Sequence, residues 1–123
     1  MFDKGFEVIR KAYHSGEYGK LLRLSMTRVG AYPNRLWFRD VKRSGGAMMD
    51  LAVHCIDLME YISGMRVTQV ASMNEKIAFP EEAYDVEDTS TLLMRMENGA
   101  QFVVQTNFNI PDEAAKWRVE FFG

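Results

Sequence analysis

Residues 44–61, SGGAMMDLAVHCIDLMEY, contain the helix around which the rest of the sequence is organised. Asp50, His54 and Asp57 follow two glycines at i, i+4 and i+7, a spacing that stacks side chains on one face of an α-helix. Tyr61 continues this line, and nearly all other helix positions are apolar. A helix exposed to water would carry a broad polar side, so the narrow ionisable line predicts the wall of a cleft.

The residue types in this line allow four interpretations. A carboxylate beside an imidazole suits proton transfer, because the imidazole titrates near neutral pH and the carboxylate can orient it. The spacing is also compatible with a metal site, although Asp50, His54 and Asp57 offer only three ligands and no second His or Cys pair is near. The other two interpretations are a hydrogen-bonded core histidine and a solvated helix face. The pattern alone leaves all four open.

Length and composition are typical of one globular domain. The chain has 123 residues, of which 47% are hydrophobic and 26% charged. A net charge of −2 gives no electrostatic basis for binding nucleic acid or an anionic membrane. No apolar run approaches the roughly 20 residues that span a bilayer. The single cysteine, Cys55, cannot form an internal disulfide, so we expect a cytoplasmic location.

The rest of the chain alternates between apolar runs and turn signals. Residues 6–14 predict a first helix that ends at Ser15-Gly16. Further β-rich or alternating runs predict strands over residues 21–29, 67–77, 89–97, 100–109 and 116–122. This order predicts an α+β fold, in which a mostly antiparallel open sheet has helices packed on one face.

The dipeptide Asn98-Gly99 predicts a hairpin between the third and fourth strands. A two-residue type I′ turn at this point would place Leu93 opposite Val104 and Met94 opposite Val103. Apolar side chains would then lie on both faces of the hairpin. We therefore expect one face to pack on the helices and the other to be an interface between copies of the chain.

Arginine and aromatic side chains are concentrated in the loop over residues 30–43, which includes Arg35, Trp37 and Arg39. A tryptophan flanked by arginines can bind a sugar ring or an anionic group. The alternative is that any one of them packs beneath the loop. We predict that these three residues bind substrate, because loops often carry binding residues.

Two other stretches suggest sites less strongly. The acidic run over residues 79–88 is interpreted as a solvated loop in preference to a cation site. Gly45-Gly46 precedes a helix, as in phosphate-binding loops, but the chain contains neither a G-x-G-x-x-G nor a Walker pattern. We predict instead that these glycines let the backbone enter the helix at close quarters.

Several stretches in the same order resemble one known family. SGGAMMDLAVHCIDL (44–58) resembles the G-G-G-A-L-x-D-x-G-x-H-x-x-D segment of the glucose–fructose oxidoreductase/inositol dehydrogenase (Gfo/Idh/MocA) family. The other similar stretches are HSGEYGKLLRL (14–24), VEDTST (86–91), MENGA (96–100) and WRVEFFG (117–123). The resemblance spans nearly the whole chain.

The resemblance implies a two-domain enzyme with a Rossmann domain that binds NAD or NADP and a C-terminal α+β domain for substrate and oligomer contacts. It identifies residues 1–123 as the second domain alone, with residues 1–15 as the helix that crosses over from the Rossmann domain. We therefore expect the chain to be a fragment without turnover of its own. No cofactor-binding residue is assigned within it.

The resemblance also implies roles for individual residues. His54 would exchange a proton with the substrate hydroxyl or carbonyl, Asp50 would orient or electrostatically support it, and Asp57 would be structural. Ala52 stands where the family usually has glycine, so its methyl group is expected to affect fine specificity. The family's catalytic lysine lies in a Glu-Lys-Pro motif, and Lys76 is not followed by proline, so that role is not assigned to it.

The expected function is the substrate-binding and oligomerisation domain of a cytoplasmic NAD(P)-dependent oxidoreductase. Its substrate would be a sugar, polyol or inositol-like alcohol, its assembly a homo-oligomer through the sheet face, and it would bind no metal, nucleic acid or membrane. Two alternatives remain: a stand-alone, non-catalytic ligand-binding or assembly module, and a metal-dependent enzyme that uses the same ionisable line.

Overall fold

The computed structural model describes residues 4–31, 36–78, 84–110 and 116–123. In these residues there are two α-helices, α1 (Lys4–His14) and α2 (Val53–Ser63). There are five strands, β1 (Arg23–Ala31), β2 (Val67–Glu75), β3 (Thr89–Met96), β4 (Gln101–Ile110) and β5 (Lys116–Phe122). A 3-10 turn covers Leu36–Arg39, and a π-helical turn, Met48–Ala52, leads directly into α2.

The five strands form one sheet in the order β2-β3-β4-β1-β5. Neighbouring strands are antiparallel except for the central pair, β1 and β4, which run parallel. Both helices pack on the same face of the sheet. The predicted α+β fold, with its mostly antiparallel sheet, is confirmed.

The core lies between the two helices and alternate side chains of the strands. Because successive strand residues point to opposite faces, every second residue of β1, β3 and β4 reaches the helices. The buried members are Leu24, Met26, Leu92, Met94, Phe102 and Val104 from the strands and Cys55, Leu58, Met59 and Ile62 from α2. Each large apolar side chain buried here contributes roughly 1.5–3 kcal/mol relative to exposure.

The β3–β4 hairpin has a three-residue turn, so the predicted two-residue turn is wrong. The N–H of Gly99 donates to the carbonyl of Met96, and the N–H of Met96 donates to the carbonyl of Ala100, both at 2.9 Å. Only Gly99, with φ of +90°, is left-handed; Asn98 has a negative φ, whereas a type I′ turn requires positive values at both central residues. The geometry is that of a type I turn closed by a glycine bulge.

The longer turn shifts the pairing by one residue. Leu93 pairs with Val103 and Met94 with Phe102, so the predicted partner of Leu93, Val104, is wrong. A one-residue shift moves every side chain to the other face of a strand. Met94 and Phe102 are consequently buried beneath the helices, whereas Leu93 and Val103 lie on the face that no described helix covers.

We call this second face of the sheet the open face. Near its β2 edge the side chains of Met73 and Leu93 are 78% and 49% exposed. A groove of about 460 Å³ runs beside Ala71, Leu93 and Arg95. Arg95 and Gln101, which pair across the strands, make the face mixed in character.

Candidate functional site

The helix that carries the ionisable line begins irregularly. Right-handed helical geometry starts at Ala47, passes through the π-helical turn, and becomes regular only at Val53. A π-helical turn holds one more residue than an α-helical turn and is frequent at functional sites. Asp50 lies inside this turn and His54 in the first regular turn that follows. The predicted single α-helix therefore has two geometries, and the change occurs between these two residues.

The ionisable line forms an open wall within the described part of the chain. Asp50 is half-buried, and His54 and Asp57 are exposed. No side-chain hydrogen bond or ion pair among the described residues involves any of the three. The exposure of His54 excludes its interpretation as a core histidine. A cleft would need a second wall opposite this face, and the described residues do not supply one.

The opposite side of the same turn is anchored in the sheet. Leu51 packs with Ala47 and Phe108 in a small buried cluster. Gly30 allows this approach, since a β-carbon there would lie 3.3 Å from the Phe108 ring and 3.4 Å from Cδ1 of Leu51. Ala52 is fully buried in the main core, so its methyl group is not part of the exposed surface around His54, and its expected effect on fine specificity stays a prediction.

Glu87, which was not among the predicted site residues, caps the start of this helix. Its Oε1 accepts a hydrogen bond from the N–H of Met48 at 2.9 Å, and its main-chain carbonyl accepts one from the N–H of Ala47 at 3.4 Å. A β-carbon on Gly46, where φ is +82°, would overlap the Glu87 carboxylate. The prediction that these glycines permit a close backbone approach is confirmed.

Asp88 is also engaged by the protein, so a solvated loop is the wrong interpretation for this end of the acidic run. Its carboxylate is buried and accepts hydrogen bonds from the N–H groups of Ile77 (3.1 Å) and Ala78 (3.0 Å) and the hydroxyls of Tyr84 (2.8 Å) and Thr89 (2.9 Å). Burial raises the pKa of Asp88, but the hydrogen bonds outweigh it and hold the pKa below its ordinary value. Residues 79–83 of the predicted run lie outside the described residues.

The same acidic segment holds the loop with the predicted substrate-binding residues. Asp85 Oδ1 accepts a hydrogen bond from the N–H of Val41 at 2.7 Å, and the N–H of Asp85 donates to the carbonyl of Arg39 at 3.2 Å. Trp37, in the same 3-10 turn as Arg39, is 42% exposed, and Arg39 is half-buried. Arg35 lies outside the described residues.

Arg28 is a second residue that the sequence patterns did not indicate. Its guanidinium stacks on the ring of Trp117, 4.2 Å from the centroid, and its Nη1 is buried without a hydrogen-bond partner. Thr106 pairs with Arg28 across the strands, and Ser90 pairs with Thr106. Both hydroxyls are likewise buried and unpartnered. Three buried polar atoms without partners thus follow one another across the helix-covered face of the sheet.

Cys55 lies on the side of α2 that faces the sheet and is fully buried. Burial raises the pKa of its thiol to about 11, and the positive charge of Arg28 opposes this only in part. A thiol with this pKa is almost entirely protonated at neutral pH and is therefore a weak nucleophile. Cys55 is a packing residue.

The start of the helix that carries Asp50 and His54 does not fit a phosphate group. A phosphate would need the free N–H groups of a helix start, and at this helix the Glu87 carboxylate already accepts one of them and would repel an anion. Among the described side chains, no group of three or more His, Cys, Asp or Glu is placed to hold a metal ion. Neither described helix is long and apolar enough to cross a membrane.

Comparison with known proteins agrees with this fold. The chain is 32% identical to the uncharacterized oxidoreductase YrbE of Bacillus subtilis and 30% identical to myo-inositol 2-dehydrogenase of Thermotoga maritima, over 99% of its own length in each case. It covers 35% and 36% of those two proteins, about a third of their length.

Solved structures share the architecture. A protein of Thermotoga maritima described as a probable dehydrogenase superimposes with a TM-score of 0.85 at 26% identity, over 98% of this chain and 36% of that one. The family model for the GFO/IDH/MocA C-terminal domain matches residues 6–123. The chain therefore belongs to the Gfo/Idh/MocA family and corresponds to its C-terminal domain.

Proposed function

We propose that this chain is the substrate-binding part of an NAD(P)-dependent oxidoreductase that acts on an alcohol group of a sugar, polyol or inositol-like compound. The observation that carries the proposal is the placement of Asp50 and His54. Both lie on one side of a helix whose other side is locked into the core, so the chain presents an imidazole and a carboxylate on a rigid support. The similarity to a myo-inositol 2-dehydrogenase supports the substrate class.

In this proposal His54 is the general base for oxidation of the alcohol. Its imidazole is exposed and therefore open to a substrate hydroxyl, from which it would take the proton. Asp50 would orient the imidazole once substrate closes the site and would stabilise its charged form. Trp37 and Arg39 would contact the sugar, the indole through its face and the guanidinium through hydrogen bonds to hydroxyl oxygens.

The nicotinamide cofactor supplies the hydride chemistry when it is bound. We place its binding mainly outside these residues, in a Rossmann domain of a longer protein, because Glu87 occupies the helix start that a phosphate would require. The relatives are about three times as long as this chain, which leaves room for such a domain. This chain would then provide one wall of the cleft and the cofactor domain the other.

We also propose that the open face joins copies of the protein in a homo-oligomer. Exposed apolar side chains beside a groove are typical of surfaces that associate. Leu93 and Met73 supply this character on an otherwise polar strand pair. A cytoplasmic location is consistent with a protein whose single cysteine is a buried free thiol.

The alternative is a non-catalytic binding module, which is favoured by the absence of any side-chain hydrogen bond to His54 within the described residues, because a general base is usually oriented by a partner. The two functions differ in a direct assay. The full-length protein that contains this chain is incubated with NAD⁺ or NADP⁺ and a panel of polyols and aldoses, and reduced cofactor is followed at 340 nm. Reduction with at least one substrate is expected. Saturable polyol binding without any reduction would overturn the proposed function in favour of the module.

A further inference from the structure

The N–H of Gly46 donates to the nearby Ser44 hydroxyl at 3.3 Å, but the π-helical turn that follows has no cap from its own preceding residue. Ala47 precedes the π-helical turn and has no side chain that can accept a hydrogen bond. The first N–H groups of a helix need outside partners, and Glu87 supplies them with both its carboxylate and its main-chain carbonyl. A carboxylate at this end is additionally favoured by the helix dipole.

The capped group lies only two residues from the candidate catalytic carboxylate. Met48, which donates to Glu87, is the first residue of the π-helical turn, and Asp50 is its third. The turn departs from regular helical geometry, so intrahelical hydrogen bonds alone do not fix its start. The Met48–Glu87 contact therefore lies at the start of the turn that sets the orientation of Asp50 relative to His54.

Glu87 is itself held from the sheet. The next residue, Asp88, is buried and accepts four hydrogen bonds through its side chain. The main chain of Asp88 also donates to the carbonyl of Glu75 at 3.0 Å and accepts from the N–H of Phe108 at 2.8 Å. Glu87 thus connects a rigid point on the sheet to the start of the helix.

From these contacts we infer that Glu87 is a positioning residue for Asp50 and His54. The inference rests on the proposed function. Glu87 acts through the π-helical turn and contacts neither substrate nor cofactor. Its carboxylate sets the geometry in which Asp50 supports the imidazole, so its loss lowers the rate of the chemical step more than it weakens substrate binding.

The test compares Glu87→Ala, Glu87→Asp and Glu87→Gln in the full-length protein with wild type. Alanine removes the oxygen that accepts the hydrogen bond from Met48. Aspartate is shorter by one methylene, so its carboxylate lies farther from that N–H, whereas glutamine keeps an oxygen in place. The matched control is Glu97→Ala, because Glu97 also accepts a main-chain hydrogen bond, from Arg66 at 3.2 Å, but lies in the β3–β4 turn. The measurements are kcat, KM and the deuterium isotope effect with substrate labelled at the carbon that loses hydride.

We expect kcat to fall at least about 10-fold in Glu87→Ala and Glu87→Asp, because misplaced catalytic groups slow the chemical step. KM should change less than about threefold, and the isotope effect on kcat should become larger. Glutamine should restore kcat to within about threefold of wild type. The Glu97→Ala control should have the kcat, KM and isotope effect of the wild type.

A folded Glu87→Asp protein with unchanged kcat and isotope effect would overturn the inference. The inference would also be overturned if the fall in kcat were fully explained by a smaller fraction of folded protein. Glu87→Asp keeps the test decisive if Glu87→Ala does not fold. His54→Ala, assayed alongside, separates the two claims: retained turnover there contradicts the proposed function, whereas loss there with normal Glu87 variants contradicts only this inference.

Discussion

Gly46 leaves open the space that the carboxylate of Glu87 occupies. A β-carbon at Gly46 would overlap that carboxylate, and the glycine also has φ of +82°, a conformation that other residues adopt at a cost. The contact joins two segments that are about 40 positions apart in the chain, and it defines where the candidate catalytic helix begins.

Gly46→Ala should therefore destabilise the protein for two separable reasons. The left-handed backbone costs about 1–2 kcal/mol for a residue with a β-carbon. Displacement of Glu87 adds the loss of its hydrogen bond to Met48, about 1.5–3 kcal/mol for a charged acceptor. Chemical denaturation of Gly46→Ala, Glu87→Ala and the double variant measures the backbone cost and the loss of the hydrogen bond separately. We expect the double variant to be less destabilised than the sum of the two, and strict additivity would contradict the contact.

Asp88 should make stability depend on pH at the acid end. Its pKa is lowered in the folded protein below the ordinary value of 3.8, so its contribution is fully present above about pH 4 and is lost as the pH falls through the folded pKa. Asp88→Asn should lower the free energy of unfolding by about 3 kcal/mol at pH 7, because hydrogen bonds to a buried charge are replaced by weaker ones.

The measurement is the free energy of unfolding of wild type and Asp88→Asn at pH 7 and at pH 2.5. We expect the difference between the two proteins to narrow at pH 2.5, because below the ordinary pKa of 3.8 the unfolded wild type binds a proton that the folded protein binds less readily. If the difference in free energy of unfolding between wild type and Asp88→Asn were the same at both pH values, the pKa of Asp88 would not be lowered by folding.

Thr106→Val should stabilise the protein. The hydroxyl of Thr106 is buried and has no hydrogen-bond partner, so replacing it with a methyl group of similar shape removes a desolvation cost of about 1–3 kcal/mol. The melting temperature should rise by several degrees, on the order expected for this free energy in a small domain. Thr91→Val, on the open face of β3, is the matched control. A lower melting temperature for Thr106→Val would reveal that the hydroxyl has a partner in solution.

Leu93→Glu should weaken self-association if the open face is the oligomer interface. The leucine is 49% exposed in the isolated chain, and a charge buried between copies would lack a partner. Light scattering over a range of concentrations should show a smaller species than wild type. Val8→Glu, at an exposed position on α1, should leave the mass unchanged. An unchanged mass for Leu93→Glu would exclude this part of the face from the interface.

Elements whose pattern is local were predictable from the sequence. The strands alternate apolar and polar residues, and the first helix ends at a glycine with positive φ, so both could be recognised within a short window. The hairpin could not be resolved in this way, because Asn-Gly fits a two-residue turn and also a type I turn with Gly99 left-handed. The predicted register of β3 and β4 was consequently shifted by one residue from the observed one.

The parts of the candidate site that depend on distant contacts were not predictable. Glu87 and Asp88 resemble a solvated acidic run in sequence, because their donors are supplied by other segments. Arg28 occupies an ordinary alternating position in a strand, and only the fold shows that it lies beside Trp117 with a buried, unpartnered N–H. The π-helical turn at Asp50 also has no counterpart in the apolar periodicity. The Asp50 and His54 pair was indicated because its spacing is local.

The most direct test of the proposed function is the turnover number of the full-length protein carrying His54→Ala, with a polyol that the wild type oxidises. Loss of a general base should lower kcat by about 100-fold or more. Asp50→Asn should show a smaller loss in the same direction, and Asp57→Asn, the exposed carboxylate one turn further on, should stay near wild type. Near-normal turnover by folded His54→Ala protein would contradict the role of His54 in proton transfer.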